Sequence, residues 1–539
     1  MVFYIKREQI TSFLDRSAPL LVILAVLLLA YYQTSYLFPA NQGAIFLEPD
    51  NYEYYLFVQM AFQQHNINVS NPYLVYPQVG FFEHAGLYQL PLFLHDATPS
   101  IPILWDFRII QILVIAGIYG LTLLIARTIL KHVTLSKYYA YYIYALILSS
   151  AFLMQYNEAI EWRGTSFIVL IQLAMLYIIA YFFTKEVKSR LEFIIYPLSL
   201  LGLLLLSFWL WSGGFLNVIA LAGLILILGL YHYVIEPHPA LWKYIALGMI
   251  AIAILLFLFY APIESFVSGI TGFENCTNNI LNLGELNCVT PSNGLTLLIV
   301  DIVFGVFAML MLLTPKNIYS GERKRYEYYV VGVIGLAMLQ LPLVLVYLRM
   351  ISVVAPYFTL LFAFGLVAMF TYFAKAGSNP VVRSLVMLGI YIGSLGGGYL
   401  FYSSSVYLQT QSSPLGLTDV ALYLNSSAMA NSTIFAYYGY GGYLEDFGHV
   451  KVYSDTIQEL EYAFALSSYF NLSSSAFCHN MSMLKPVPDY VLLSTQMLNI
   501  SIFANASNQS VLRFLPSFDC PAYAPIYNSD GFYLYRLTA

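Results

Sequence analysis

Between Ser17 and Phe401 one pattern repeats: apolar runs of about 20 residues, separated by short stretches that hold most of the charge. A run of that length spans the hydrocarbon of a bilayer as a helix. A helix also satisfies its own backbone hydrogen bonds, as a lipid environment requires. Composition agrees, because a chain of 539 residues that is 60% hydrophobic and only 9% charged lies outside the range of soluble domains. The net charge of −5 is spread along the chain, so no nucleic-acid partner is expected. The first run is long enough to span and lacks a small-residue cleavage site, so it is expected to be a span and not a cleaved leader.

The runs predict a polytopic α-helical membrane protein with about 11 spans. Residues 1–17 carry Lys6, Arg7 and Arg16 and are expected in the cytoplasm. Span 1, near 18–38, leads to a long outer loop, 39–108, in which a helix is expected over Asn51–Gln64. Span 2 is placed near 109–130, span 4 near 165–184, and span 11 near 384–401. Residues 1–401 are then one membrane unit, and 402–539 an extracytoplasmic α/β unit. In the latter, strands are expected at Thr433–Tyr438, Val450–Ser454, Tyr490–Ser494 and Phe532–Leu537, and a helix at Thr456–Ala465.

Three features agree on sidedness. Of 23 Lys and Arg residues, only Arg108, Arg163, Arg349, Lys451, Lys485, Arg513 and Arg536 fall on the expected outer side. All four cysteines fall there too, as the local pairs Cys276/Cys288 and Cys478/Cys520, both disulfide candidates on an oxidising side. Every Asn-x-Ser/Thr triplet is also outside, although the Ser- and Asn-rich C-terminal composition accounts for part of that. The expected location is therefore the cell membrane, multi-pass, with the N-terminus inside and the C-terminal unit outside.

Charged groups gather at the outer ends of the spans. Glu48 and Asp50 follow span 1, Glu158, Glu161 and Arg163 occupy a short outer loop, and Glu285 and Arg349 lie farther along. Carboxylates from separate loops suit a hard cation, Mg²⁺ or Mn²⁺. An arginine at the same depth suits a diphosphate, which it can grip through paired N–H bonds. Local readings remain open: Asp50 as an N-cap, Glu161 paired with Arg163, and Arg349 as a helix-end marker.

These residues resemble the motifs of one family, the catalytic subunits of oligosaccharyltransferases. Glu48-Pro49-Asp50 resembles its first acidic motif, and Trp211-Ser212-Gly213-Gly214 its Trp-Gly-Gly turn. Leu283-Gly284-Glu285-Leu286-Asn287 resembles its external-loop glutamate motif, and Arg349 through Pro356 its arginine segment. Ala436-Tyr437-Tyr438-Gly439-Tyr440-Gly441 resembles, in order and position, its Trp-Trp-Asp-Tyr-Gly segment. The resemblance implies glycan transfer from a polyprenyl-linked (di)phosphate donor to asparagine of an acceptor polypeptide, by a single subunit embedded in membrane lipid. It implies catalytic roles for Asp50 and Glu285, and metal ligation by Asp50, Glu158, Glu161 and Glu285. It also implies donor-phosphate binding by Arg349, and acceptor binding by Tyr437, Tyr438, Gly439, Tyr440 and Gly441. Two departures bear on specificity. Tyr437-Tyr438-Gly439 stands where the family has Trp-Trp-Asp, which removes a carboxylate, and the second acidic pair is Glu158/Glu161 instead of Asp-x-Asp. The other readings are a transferase with a different acceptor, a non-catalytic homologue, or a transporter. Against a transporter, the spans carry almost no ionisable residues at their centres.

Overall fold

The computed structural model describes, in the main, residues 49–66, 73–75, 85–130, 164–184, 191–210, 212–235, 323–346, 415–426, 432–455, 465–499 and 518–538, with shorter stretches between them. Helices α1 (Pro49–Gln64) and α2 (Ala85–Ala97) come first. Four helices follow, α3 (Ile103–Leu130), α4 (Gly164–Thr184), α5 (Glu192–Leu210) and α6 (Phe215–Ile235), and then α7 (Arg323–Val346). Among the described residues, α3, α4, α5 and α6 are long and apolar enough to cross a membrane. The remaining expected spans lie wholly or largely outside those residues, or, in α7, form a shorter apolar stretch, Glu327–Gln340.

Helix α4 is the hub, packed against α3, α5, α6 and α7. Its buried Gln172 Oε1 accepts hydrogen bonds from Gln340 Nε2 of α7 (2.7 Å) and from the Tyr357 hydroxyl (2.9 Å). Amides inside an apolar bundle act this way because lipid offers them no other partner. Helix α5 does the opposite. It turns Leu198 (65% exposed), Leu205 and Ile194 outward, as a helix facing lipid does.

The C-terminal part is α/β. It contains α8 (Leu415–Ser426), β1 (Thr433–Phe435), α9 (Gly441–Gly448), β2 (Lys451–Val452), α10 (Ser474–Met483), β3 (Tyr490–Ser494), β4 (Tyr523–Ser529) and β5 (Phe532–Leu537). The sheet order is β2-β1-β3-β5-β4, with β1 parallel to β2 and β3, and β5 antiparallel to β3 and β4. Strands β1 and β3 are buried throughout. Asp530 (φ 45°) and Gly531 (φ 80°) make the tight β4–β5 turn, where positive φ at both central residues matches the twist of the strands. A disulfide between Cys478 and Cys520 ties α10 to the segment before β4. Cys276 and Cys288 lie outside the described residues.

Several boundaries differ from expectation. Helix α1 starts at Pro49, so Asp50 lies in its first turn and does not cap it. Proline is favoured there because the first helical N–H has no partner to lose. The first strand ends at Phe435, because Tyr438–Tyr440 turn into a 3₁₀ helix, and the second contracts to Lys451–Val452. The predicted helix Thr456–Ala465 lies, but for Ala465, outside the described residues. The outer loop contains a second helix, α2, with Pro91 inside it, and α3 begins at Ile103 and not near 109.

Candidate functional site

Helix α1 lies where the two halves of the chain meet. On one side it packs against α9 and the Tyr438–Tyr440 turn, on the other against α2 and α3. Its apolar residues Leu56, Phe57, Val58, Met60 and Ala61 are buried in these contacts. A backbone seam reinforces the join. The Val75 N–H donates to the Val452 carbonyl (2.9 Å), and the Val452 N–H donates to the Tyr73 carbonyl (2.8 Å). Residues 73–75 thereby pair in parallel with the free edge of β2.

The aromatic-glycine segment is compact. The backbone of Tyr437 is extended (φ −61°, ψ 133°), Tyr438–Tyr440 form the 3₁₀ turn, and α9 starts at Gly441. All three tyrosines are buried, and their rings interlock: centroids are 4.5 Å apart for Tyr437–Tyr438 and 5.3 Å for Tyr437–Tyr440. The Tyr440 hydroxyl is hydrogen-bonded to the Ser494 side chain, and burial pushes its pKa well above the ordinary phenol range. Gly441 permits a close crossing, because a Cβ there would sit 2.6 Å from the Ser454 carbonyl oxygen and 2.8 Å from the Asp455 Cα. The segment Tyr453-Ser454-Asp455 runs directly against it.

Two acidic groups near this turn were not foreseen. Glu445 is fully buried in α9. Asp446 is its neighbour, and burial pushes that carboxyl up to about 7. Across the seam, the Tyr55 hydroxyl of α1 is shifted up, first by burial and then by the charge of Asp446. The available signal was a pair of acids, Glu445-Asp446, flanked by Tyr443, Leu444 and Phe447.

The membrane side of α1 is aromatic. Tyr55 meets Phe107 of α3 (6.5 Å), and Phe107 meets Trp162 edge-on (5.0 Å). The Trp162 indole N–H donates to the Leu87 carbonyl of α2 (3.0 Å). The Ser212–Gly214 turn, resembling Trp-Gly-Gly, joins α5 to α6. Nearby, the Trp209 indole N–H donates to Gln89 Oε1 of α2 (2.9 Å). Buried His95 and Asp106 are paired through Nδ1 and Oδ2 at 2.9 Å, close to the Phe62 ring.

Of the sequence-predicted site residues, the structure brings α1, which opens with Pro49-Asp50, against the segment containing Tyr437, Tyr438, Gly439, Tyr440 and Gly441. For Asp50 only the backbone is described. Glu158, Glu161, Glu285 and Arg349 lie outside the described residues, although Trp162, between Glu161 and Arg163, is firmly packed. Among the described residues no three His, Cys, Asp or Glu side chains are grouped to hold a metal ion.

No protein-family model matches the chain, and neither does any curated protein. Solved structures do share its fold. One is the archaeal oligosaccharyltransferase AglB from Archaeoglobus fulgidus with an inhibitory peptide and a dolichol-phosphate. It is 14% identical, with a TM-score of 0.61, over 96% of this chain and 74% of that one. The Archaeoglobus fulgidus oligosaccharyltransferase in complex with Zn and sulfate is 14% identical, with a TM-score of 0.56, over 95% and 73%. ArnT from Cupriavidus metallidurans bound to undecaprenyl phosphate is 10% identical, with a TM-score of 0.55, over 96% and 98%.

Proposed function

We propose that the protein is a membrane-embedded glycosyltransferase that moves a glycan from a polyprenyl or dolichyl (di)phosphate donor to asparagine of an acceptor polypeptide, acting as a single subunit. The observation that carries this reading is the position of α1. The helix that opens with Pro49-Asp50 is clamped between the Phe107–Trp162 rings and the Tyr438–Gly448 segment. The helix that opens with one motif-like segment, Pro49-Asp50, thus adjoins another, Tyr438–Gly441, in a fold shared with enzymes solved with lipid phosphates.

An asparagine amide is a weak nucleophile because its nitrogen lone pair is delocalised into the carbonyl. In this reading, Asp50 and Glu285 accept hydrogen bonds from the amide N–H groups and draw the nitrogen out of conjugation. Arg349 stabilises the charge that develops on the leaving (di)phosphate. Attack on the anomeric carbon from the face opposite the phosphate inverts it, without a covalent enzyme intermediate. Asp50, Glu158, Glu161 and Glu285 would hold Mn²⁺ or Mg²⁺, which supplies Lewis-acid stabilisation of the leaving group.

A second reading keeps the donor and changes the acceptor. It is favoured by Tyr437-Tyr438-Gly439, which lacks a carboxylate and whose tyrosine rings are buried against one another. Purified protein, lipid-linked oligosaccharide and an Asn-x-Thr peptide, with Mn²⁺ or with chelator, separate the two. Glycopeptide formed only with the metal supports transfer to asparagine. Metal-dependent consumption of donor without glycopeptide supports the second reading, and an intact donor under both conditions rejects both.

A further inference from the structure

Arg108 lies in the second turn of α3, within the stretch apolar enough to span the membrane. Its residue is only 9% exposed. The guanidinium carbon sits 4.6 Å from the ring centroid of Tyr31, in the first apolar run, and 4.8 Å from that of Trp105. The buried Nε has no hydrogen-bond partner among the described residues. The nearest acid in sequence, Asp106, is engaged with His95. Both rings that flank the cation are themselves partly open, Tyr31 at 48% and Trp105 at 43% exposed. Near the start of an apolar helix, a fixed positive charge thus has no anionic partner among the described residues and lies between two half-exposed aromatic faces.

A buried guanidinium, unlike lysine, keeps its charge, so it needs a counter-anion instead of losing a proton. Ring faces stabilise the cation but do not accept its N–H bonds. The groups that reach this depth from the bilayer are lipid phosphates, whose oxygens match the guanidinium fork. Tyrosine and tryptophan rings at such a boundary also line lipid chains.

We propose that Arg108, with Tyr31 and Trp105, forms a binding site for the phosphate of a membrane lipid. It lies at the end of α3 next to α1 and does not depend on the proposed transfer reaction. The phosphate could come from a polyprenyl phosphate or from bulk phospholipid, and the test separates the two.

Delipidated protein is incubated with undecaprenyl phosphate, undecaprenol or phosphatidylglycerol, and bound lipids are counted by native mass spectrometry. Wild type is expected to hold one more phosphate lipid than Arg108→Gln, with affinity at that site falling at least about tenfold in the variant. Undecaprenol should bind both proteins equally. Whichever phosphate lipid shows the lost copy at lower concentration is the source. The double substitution Tyr31→Leu and Trp105→Leu, at half-exposed positions, tests the site without removing the buried charge and should weaken the same copy severalfold. Equal numbers of phosphate lipids on wild type and Arg108→Gln, or, if that variant does not fold, on wild type and the double variant, would overturn the proposal.

Discussion

Single residues in the seam carry the clearest consequences. Gly441→Ala places a methyl group 2.6 Å from the Ser454 carbonyl oxygen, against backbone that cannot rotate away. The expected cost is about 1–3 kcal/mol, read as a lowered denaturation midpoint of the C-terminal part. Asp446 gives a pH signature. Its carboxyl ionises near 3.8 in an unfolded chain and near 7 when folded. Between those values the folded state binds more protons than the unfolded one, so stability falls as pH rises. The contribution is complete below the lower value and lost through the upper. Asp446→Asn should flatten the thermal midpoint across pH 4–7, relative to a wild type whose midpoint declines. A wild-type midpoint that rises over that range would contradict the burial argument. Asp446 was not legible in advance, because helical spacing alone does not reveal which face of α9 is covered by α1.

At the scale of elements, the long apolar helices were the most legible. Gly164–Thr184 matches its apolar run almost to the residue, because nothing but length and hydropathy sets it. The α/β part was legible where strands are buried, as at Tyr490–Ser494, and missed at Tyr523–Ser529. Pro525 argues against a strand there, yet it sits where proline is tolerated, in the strand at the end of the sheet order and beside a register shift. The pairing of residues 73–75 with β2 was also invisible, since a three-residue strand exists only through its partner. That seam makes its own prediction. Val75→Pro removes the N–H that bonds the Val452 carbonyl and misplaces Tyr73, the acceptor for the Val452 N–H. Hydrogen exchange at Val452 should speed by about tenfold or more, the change expected for losing roughly 1.4 kcal/mol of local protection. Unchanged exchange would mean that the sheet edge is protected without the loop.

For the whole molecule, the question is why segments so distant in the chain adjoin one helix. Of the candidate site, the sequence pointed to Pro49-Asp50 and Tyr437–Gly441, whose helix and segment adjoin, while Glu158, Glu161, Glu285 and Arg349 lie outside the described residues. The Tyr55–Phe107–Trp162 ring contacts that join their surroundings were not legible. The most direct measurement is single-turnover glycan transfer to a sequon peptide by wild type, Asp50→Asn and Glu285→Gln, each reconstituted in lipid with Mn²⁺. The account predicts transfer by wild type and a loss of about 10²-fold or more in each variant, with the folded yield unchanged. Transfer by Asp50→Asn at the wild-type rate would contradict it.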